Sequence, residues 1–146
     1  MLEAYTRYAD SATICHGRVV WECLRGDLSS NKEILVLGDS YTAVLNIYFD
    51  QLGKEHGFKA RNITASSCVA IFPISITSAL QESARKACIE QIENAKKYLV
   101  AAQNIFLAAR WGLHLELVEF KNSVIKFLED QSLAKKNIYL FEQVPK

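Results

Sequence analysis

Ile34-Leu35-Val36-Leu37-Gly38-Asp39-Ser40-Tyr41 runs four apolar residues into a glycine, an acid and a hydroxyl. Such an uninterrupted apolar run reads as a strand buried on both faces, as in a parallel sheet. Gly38 then allows a tight turn, and Ser40 stands where a helix begins. Val44, Leu45, Tyr48, Phe49 and Leu52 recur at helical intervals and are expected on its inward face. Gly57 supplies a left-handed stop. A serine at the junction of a buried strand and a helix start lies beside unpaired N–H groups and the positive end of a dipole. That place suits a nucleophile whose reaction builds an oxyanion, or a group that binds phosphate.

Working outward, residues 60–64 form a modest second strand, and a loop over residues 65–77 contains Pro73. Ser78 with Gln81 three positions on is a capping-box signature. The helix it opens carries Leu80, Ala84, Cys88, Ile92, Ala95 and Leu99 as its apolar stripe. Residues 104–109 make a third strand, residues 115–131 a third helix with Leu117, Phe120, Val124, Phe127 and Leu128 inward, and residues 138–141 a fourth strand. Strand and helix alternate three times without a hairpin signal, which implies a parallel sheet covered by helices. Ahead of the first strand, residues 1–30 read as a cap with a short edge strand at Arg18-Val19-Val20-Trp21, leaving residues 31–146 as the α/β domain. The fourth strand lacks a following helix, so the domain reads as incomplete at its C-terminus.

Composition bounds the function. Half of the 146 residues are hydrophobic, and 17 basic against 16 acidic residues leave a net charge of +1. No field of one sign exists to attract nucleic acid or an anionic surface. The apolar runs fall far short of the ~18 residues that a membrane span requires. The four cysteines form no C-x-x-C, which argues against a zinc site, and they allow three disulfide pairings or four reduced thiols.

In an open α/β sheet, ligands bind beyond the carboxyl ends of the strands. Those ends are Asp39-Ser40, Ser66-Ser67, Arg110-Trp111 and Glu142. Ser40 reads as a nucleophile or as a plain helix cap. Asp39 adjoins it, points differently, and is not expected to polarise a base for it. Of the three histidines, His56 closes the first helix, His16 lies in the cap, and His114 follows the third strand within reach of the site. Trp111 offers an indole N–H or packs. Arg110 is placed to bind an anionic sugar or to pair with Glu116 or Glu142. No G-x-S-x-G elbow and no Gly-Lys-Ser/Thr of a P-loop is present.

Gly38-Asp39-Ser40-Tyr41 after an apolar strand resembles the first block of the SGNH (GDSL-type) esterases and acyltransferases. The paired Cys15 and Cys23, the Ser66-Ser67-Cys68 end of the second strand with Cys88 downstream, and Ala109-Arg110-Trp111 resemble one subfamily. Its members are SGNH domains fused to integral-membrane acyltransferases that O-acetylate bacterial surface glycans. The resemblance implies a flavodoxin-like three-layer α/β/α fold with a parallel sheet. It implies disulfides Cys15–Cys23 and Cys68–Cys88, hence an oxidising compartment, on the periplasmic side of the bacterial inner membrane. It makes Ser40 the nucleophile, with Gly38 and Asp39 bracing the turn, and Ser66, Ser67 and Trp111 as further oxyanion or turn support. Tyr41, Arg110 and His114 are candidate substrate contacts. The family's base comes from a late D-x-x-H block, and no histidine here follows an aspartate at that spacing.

The function so implied is transfer of an acetyl-type group through Ser40 to a glycan such as lipopolysaccharide or exopolysaccharide, or to water. Its partners are an acyl donor, a glycan acceptor and a membrane acyltransferase domain upstream, with no cofactor and no nucleic acid. The rival is a non-catalytic flavodoxin-like module whose Ser40 helix start holds a phosphate or sugar.

Overall fold

The computed structural model describes residues 15–20, 22–72 and 81–142. Its strands are β1 (Leu24–Gly26), β2 (Glu33–Gly38), β3 (Lys59–Thr64), β4 (Asn104–Ala108) and β5 (Asn137–Leu140). They form one sheet in the order β1-β3-β2-β4-β5. The four later strands are parallel, as their alternation with helices requires, and the added edge strand β1 is antiparallel to β3. That strand occupies residues 24–26; of the expected Arg18-Val19-Val20-Trp21, residues 18–20 are in no strand and Trp21 lies outside the described residues. Backbone pairing of Leu24 with Arg61 and Gly26 with Lys59 sets it, with no side-chain periodicity to announce it.

Helices α1 (Ser40–Val44) and α2 (Asn46–His56) follow β2, α3 (Glu82–Leu99) precedes β4, and α4 (Trp111–His114) and α5 (Val118–Leu133) lead to β5. The single helix expected after β2 is interrupted at Leu45. The interruption turns Asn46, Phe49 and Gly53 toward the sheet, and Val44 and Tyr48 are exposed. Gly57 stops α2 in the left-handed conformation, as expected. Likewise α5 starts at Val118, so Leu117 is exposed, whereas Phe120, Val124 and Phe127 are buried. Ser78, Leu80 and Pro73, and Val144-Pro145 after β5, lie outside the described residues.

Both faces of the sheet are covered. Leu35, Leu37, Ile63, Ile105 and Leu107 join Cys88, Ile92, Ala95 and Leu99 of α3 and Phe120, Val124 and Phe127 of α5 in the larger core. Val36, Ala60 and Phe49 make the smaller one, with Phe106 and Phe141 packed against it. The strand pattern Leu35-Val36-Leu37 thus feeds alternate residues to opposite layers. Two disulfides, Cys15–Cys23 and Cys68–Cys88, close loops at the edge and top of the sheet. These are the pairs the family resemblance implied. Among the described residues no helix is long and apolar enough to cross a membrane.

Candidate active site

The site grows from the end of the central strand. Gly38 pairs Thr64 of β3 on one side and Ala108 of β4 on the other. A Cβ at Gly38 would collide with the Thr42 hydroxyl and the Ala108 carbonyl, because Thr42 donates a hydrogen bond to that carbonyl. Only glycine lets α1 sit this close over the strand end.

Asp39 caps α1: its Oδ1 accepts from the Tyr41 N–H at 2.9 Å. Its Oδ2 accepts from the Arg110 N–H at 2.9 Å and from His114 Nε2 at 2.7 Å. Asp39 and His114 are both buried. Burial alone would push the Asp39 carboxyl up. The hydrogen bonds from His114, Arg110 and Tyr41, with the His114 charge, instead hold it below the ordinary carboxylate value. Asp39 therefore braces the turn, and it also holds a histidine, which its place beside Ser40 did not announce. His114, within reach of the site by sequence, is the buried end of α4, with its ring 5.0 Å from that of Phe120.

With the cap supplied by Asp39, Ser40 is the first residue of α1 and its side chain is exposed. Its hydroxyl makes no hydrogen bond with a described residue, so it is not a plain helix cap. Its N–H, first in the helix, has no intrahelical acceptor. Tyr41 is exposed beside it.

On the β3 side, Ser66 and Ser67 form the exposed tip of a turn in which Ala65 bridges Cys68. Ser67 takes a left-handed φ of 54°. His16 pairs with Thr64 as an extra bridge beside β3. Its Nδ1 lies 2.9 Å from Thr64 Oγ1 and its Nε2 3.0 Å from Ser66 Oγ. Burial lowers the His16 pKa, with the Asp39 charge working against that. The segment is held by Gln91, whose Nε2 donates to the carbonyls of Cys15 at 3.0 Å, Arg18 at 3.1 Å and Thr64 at 2.9 Å.

On the β4 side, the Trp111 indole N–H donates to the Phe141 carbonyl at 2.7 Å. That bond ties the end of β5 to α4, so the indole N–H offered by the sequence is engaged with backbone. The Arg110 side chain is exposed and pairs with neither Glu116 nor Glu142. The structure thus joins Asp39, Tyr41, Arg110 and His114 by direct bonds at the turn that carries the exposed Ser40, and Ser66 with His16 by another.

A sequence model of the SGNH domain (fused to AT3 domains) matches residues 7–146. The chain belongs to that family. No curated protein sequence matches it. Among solved structures, this SGNH domain is similar to the periplasmic domain of a lipopolysaccharide acetyltransferase of Salmonella ser. Paratyphi A. The TM-score is 0.57 at 18% identity, over 99% of this chain and 59% of that one. At that identity the likeness is one of fold. Sequence reading of the SGNH domain missed the His16–Ser66 bond and the anchoring by Gln91. Each joins residues 50 or more positions apart, save the Gln91 bond to Thr64, 27 away. The one local signal was a glutamine on the apolar face of α3, next to Ile92.

Proposed function

We propose that this SGNH domain carries out serine-dependent acyl transfer, with Ser40 attacking the acyl carbonyl and passing the group to a glycan hydroxyl or to water. The observation that carries it is the Ser40 turn. An exposed hydroxyl with no bond to a described residue stands at a helix start whose geometry is fixed by three donors on Asp39. The Ser40 N–H is the assigned oxyanion donor, a role worth about 3 kcal/mol of transition-state stabilisation. Gly38 and Asp39 hold the turn. Arg110, exposed at its rim, is placed for an anionic acceptor, and Tyr41 for a sugar face. The reading needs a base for Ser40, and neither His16 nor His114 is bonded to it among the described residues.

Family membership supports an upstream membrane acyltransferase domain as the partner. Two disulfides support an oxidising compartment. With the fold shared with a periplasmic acetyltransferase domain, they favour the periplasmic face of the inner membrane and a surface glycan such as lipopolysaccharide as acceptor. The test is acylation by p-nitrophenyl acetate followed by peptide mapping. An acetyl group on Ser40, lost in Ser40→Ala, is expected; a chain that never carries one there is a binding module instead.

A further inference from the structure

The hydroxyl of Ser66 has what the hydroxyl of Ser40 lacks, a histidine within hydrogen-bond reach. His16 Nε2 is 3.0 Å from Ser66 Oγ, and the other ring nitrogen is held by Thr64 Oγ1 at 2.9 Å. Thr64 Oγ1 in turn has the Cys15 carbonyl as an acceptor at 3.4 Å. With the Thr64 hydroxyl turned to that carbonyl, Nδ1–H donates to Thr64 Oγ1 and the Nε2 lone pair faces Ser66; the opposite tautomer reverses both bonds. In the first tautomer the proton chain runs from Ser66 through His16 and Thr64 to the Cys15 backbone. Nucleophile, base and an orienting third group are the parts of an activated serine.

The surroundings fix this chain. His16 is half-buried while Ser66 is exposed, so the base is shielded and the nucleophile is open. The Cys15–Cys23 bridge and the buried Gln91 hold the His16 backbone against β3. Burial also favours the neutral imidazole, the form that accepts a proton.

We propose that Ser66 is a second nucleophile of this crevice, with His16 as its general base and Thr64 as the positioning residue, acting on an activated acyl ester. Ser66 Oγ bonds to the acyl carbon as its proton passes to His16 Nε2. The tetrahedral adduct then expels the alcohol, which takes that proton from His16, leaving an ester on Ser66 and a neutral imidazole. The inference does not depend on Ser40, since no bond in the chain involves it.

The experiment uses the Ser40→Ala variant of the full chain with p-nitrophenyl acetate and follows acetylation by peptide mass spectrometry. Ser67 is the internal reference, also exposed and without a histidine partner among the described residues. Ser66 is expected to be labelled well ahead of Ser67, and His16→Gln to slow it by about a hundredfold, the scale of a general base. Thr64→Val is expected to slow it less, and Thr64→Ser to restore it. Nitrogen-15 NMR of His16 reads the tautomer directly and is independent of labelling, with Nδ1 protonated in Ser40→Ala and not in the Thr64→Val background. Equal labelling of Ser66 and Ser67, no change in His16→Gln while near-UV circular dichroism stays native, or protonation of Nε2 overturns the proposal.

Discussion

The two sides of the Ser40 turn are built on opposite principles. On the β4 side, the buried carboxylate of Asp39 accepts from three donors and locks against a buried histidine. On the β3 side, His16 joins two neutral hydroxyls, and the outer one is open to solvent. A carboxylate with all its donors in place is a clamp, because moving any part strands a buried charge. A chain of neutral groups strands no buried charge when its exposed end moves, and it can pass a proton. The difference separates a closed side from an open one: the clamp fixes where Ser40 stands, and the His16 chain leaves the Ser66 hydroxyl facing solvent.

The largest expected effect breaks the clamp. Asp39→Ala leaves His114 and the N–H groups of Tyr41 and Arg110 without their acceptor. Removing one partner of a buried pair costs about 3 kcal/mol or more. Urea unfolding is expected to show a loss of that size together with loss of Ser40 acylation. A change below about 1 kcal/mol would mean that backbone contacts hold the turn without the carboxylate.

The next effect loosens the other side. Replacing Cys15 and Cys23 by alanine opens a bridge between residues 8 apart, for which chain entropy gives about 2–3 kcal/mol. Because Gln91 and the β3 pairing remain, the domain is expected to fold with lower stability. His16 is then less restrained, so Ser66 labelling falls while Ser40 labelling persists. Parallel loss of both would show that the two sides are one unit.

The smallest effect is in pH. The fold lowers the His16 pKa, so its contribution to stability is fully present above the unfolded value of about 6.5. It is lost as pH falls from there through the folded value, because the unfolded chain takes up the proton first. Asp39 is lowered from a carboxylate value, so its contribution persists until the pH falls below about 4. Between pH 7 and 5 the His16 side should therefore weaken first. Stability curves of the parent chain and His16→Gln should differ in slope across that window, the variant falling less. Identical slopes would show that His16 is not held neutral.

Much of the fold was legible because its signals are local. Ile34-Leu35-Val36-Leu37 and Ile105-Phe106-Leu107 announce parallel strands, and Gly57 announces the end of α2. The strand β1 was not legible: Leu24-Arg25-Gly26 has no alternation, and only pairing with Arg61, Ala60 and Lys59 makes it a strand. The break at Leu45 was hidden by Val44 and Tyr48, apolar residues at helical spacing that the structure leaves exposed. In the site, Ser40, Asp39 and Gly38 were legible together because they are consecutive. His114 on Asp39 and His16 on Ser66 were not, since separations of 75 and 50 residues are closed only by the sheet order. The partner of the Trp111 indole was hidden for the same reason, Phe141 being 30 positions away.

The central claim is that Ser40 is the acyl-accepting residue of this domain, and the most direct measurement is the site of acetylation by p-nitrophenyl acetate in the Ser66→Ala variant. With Ser66 removed, the Asp39 clamp and the Ser40 N–H still stand, and oxyanion stabilisation alone remains to speed attack. Slow formation of an acetyl ester on Ser40, absent in the Ser40→Ala, Ser66→Ala double variant, is the predicted result. Acetyl groups confined to lysines, with Ser40 unmodified in a natively folded chain, would contradict it.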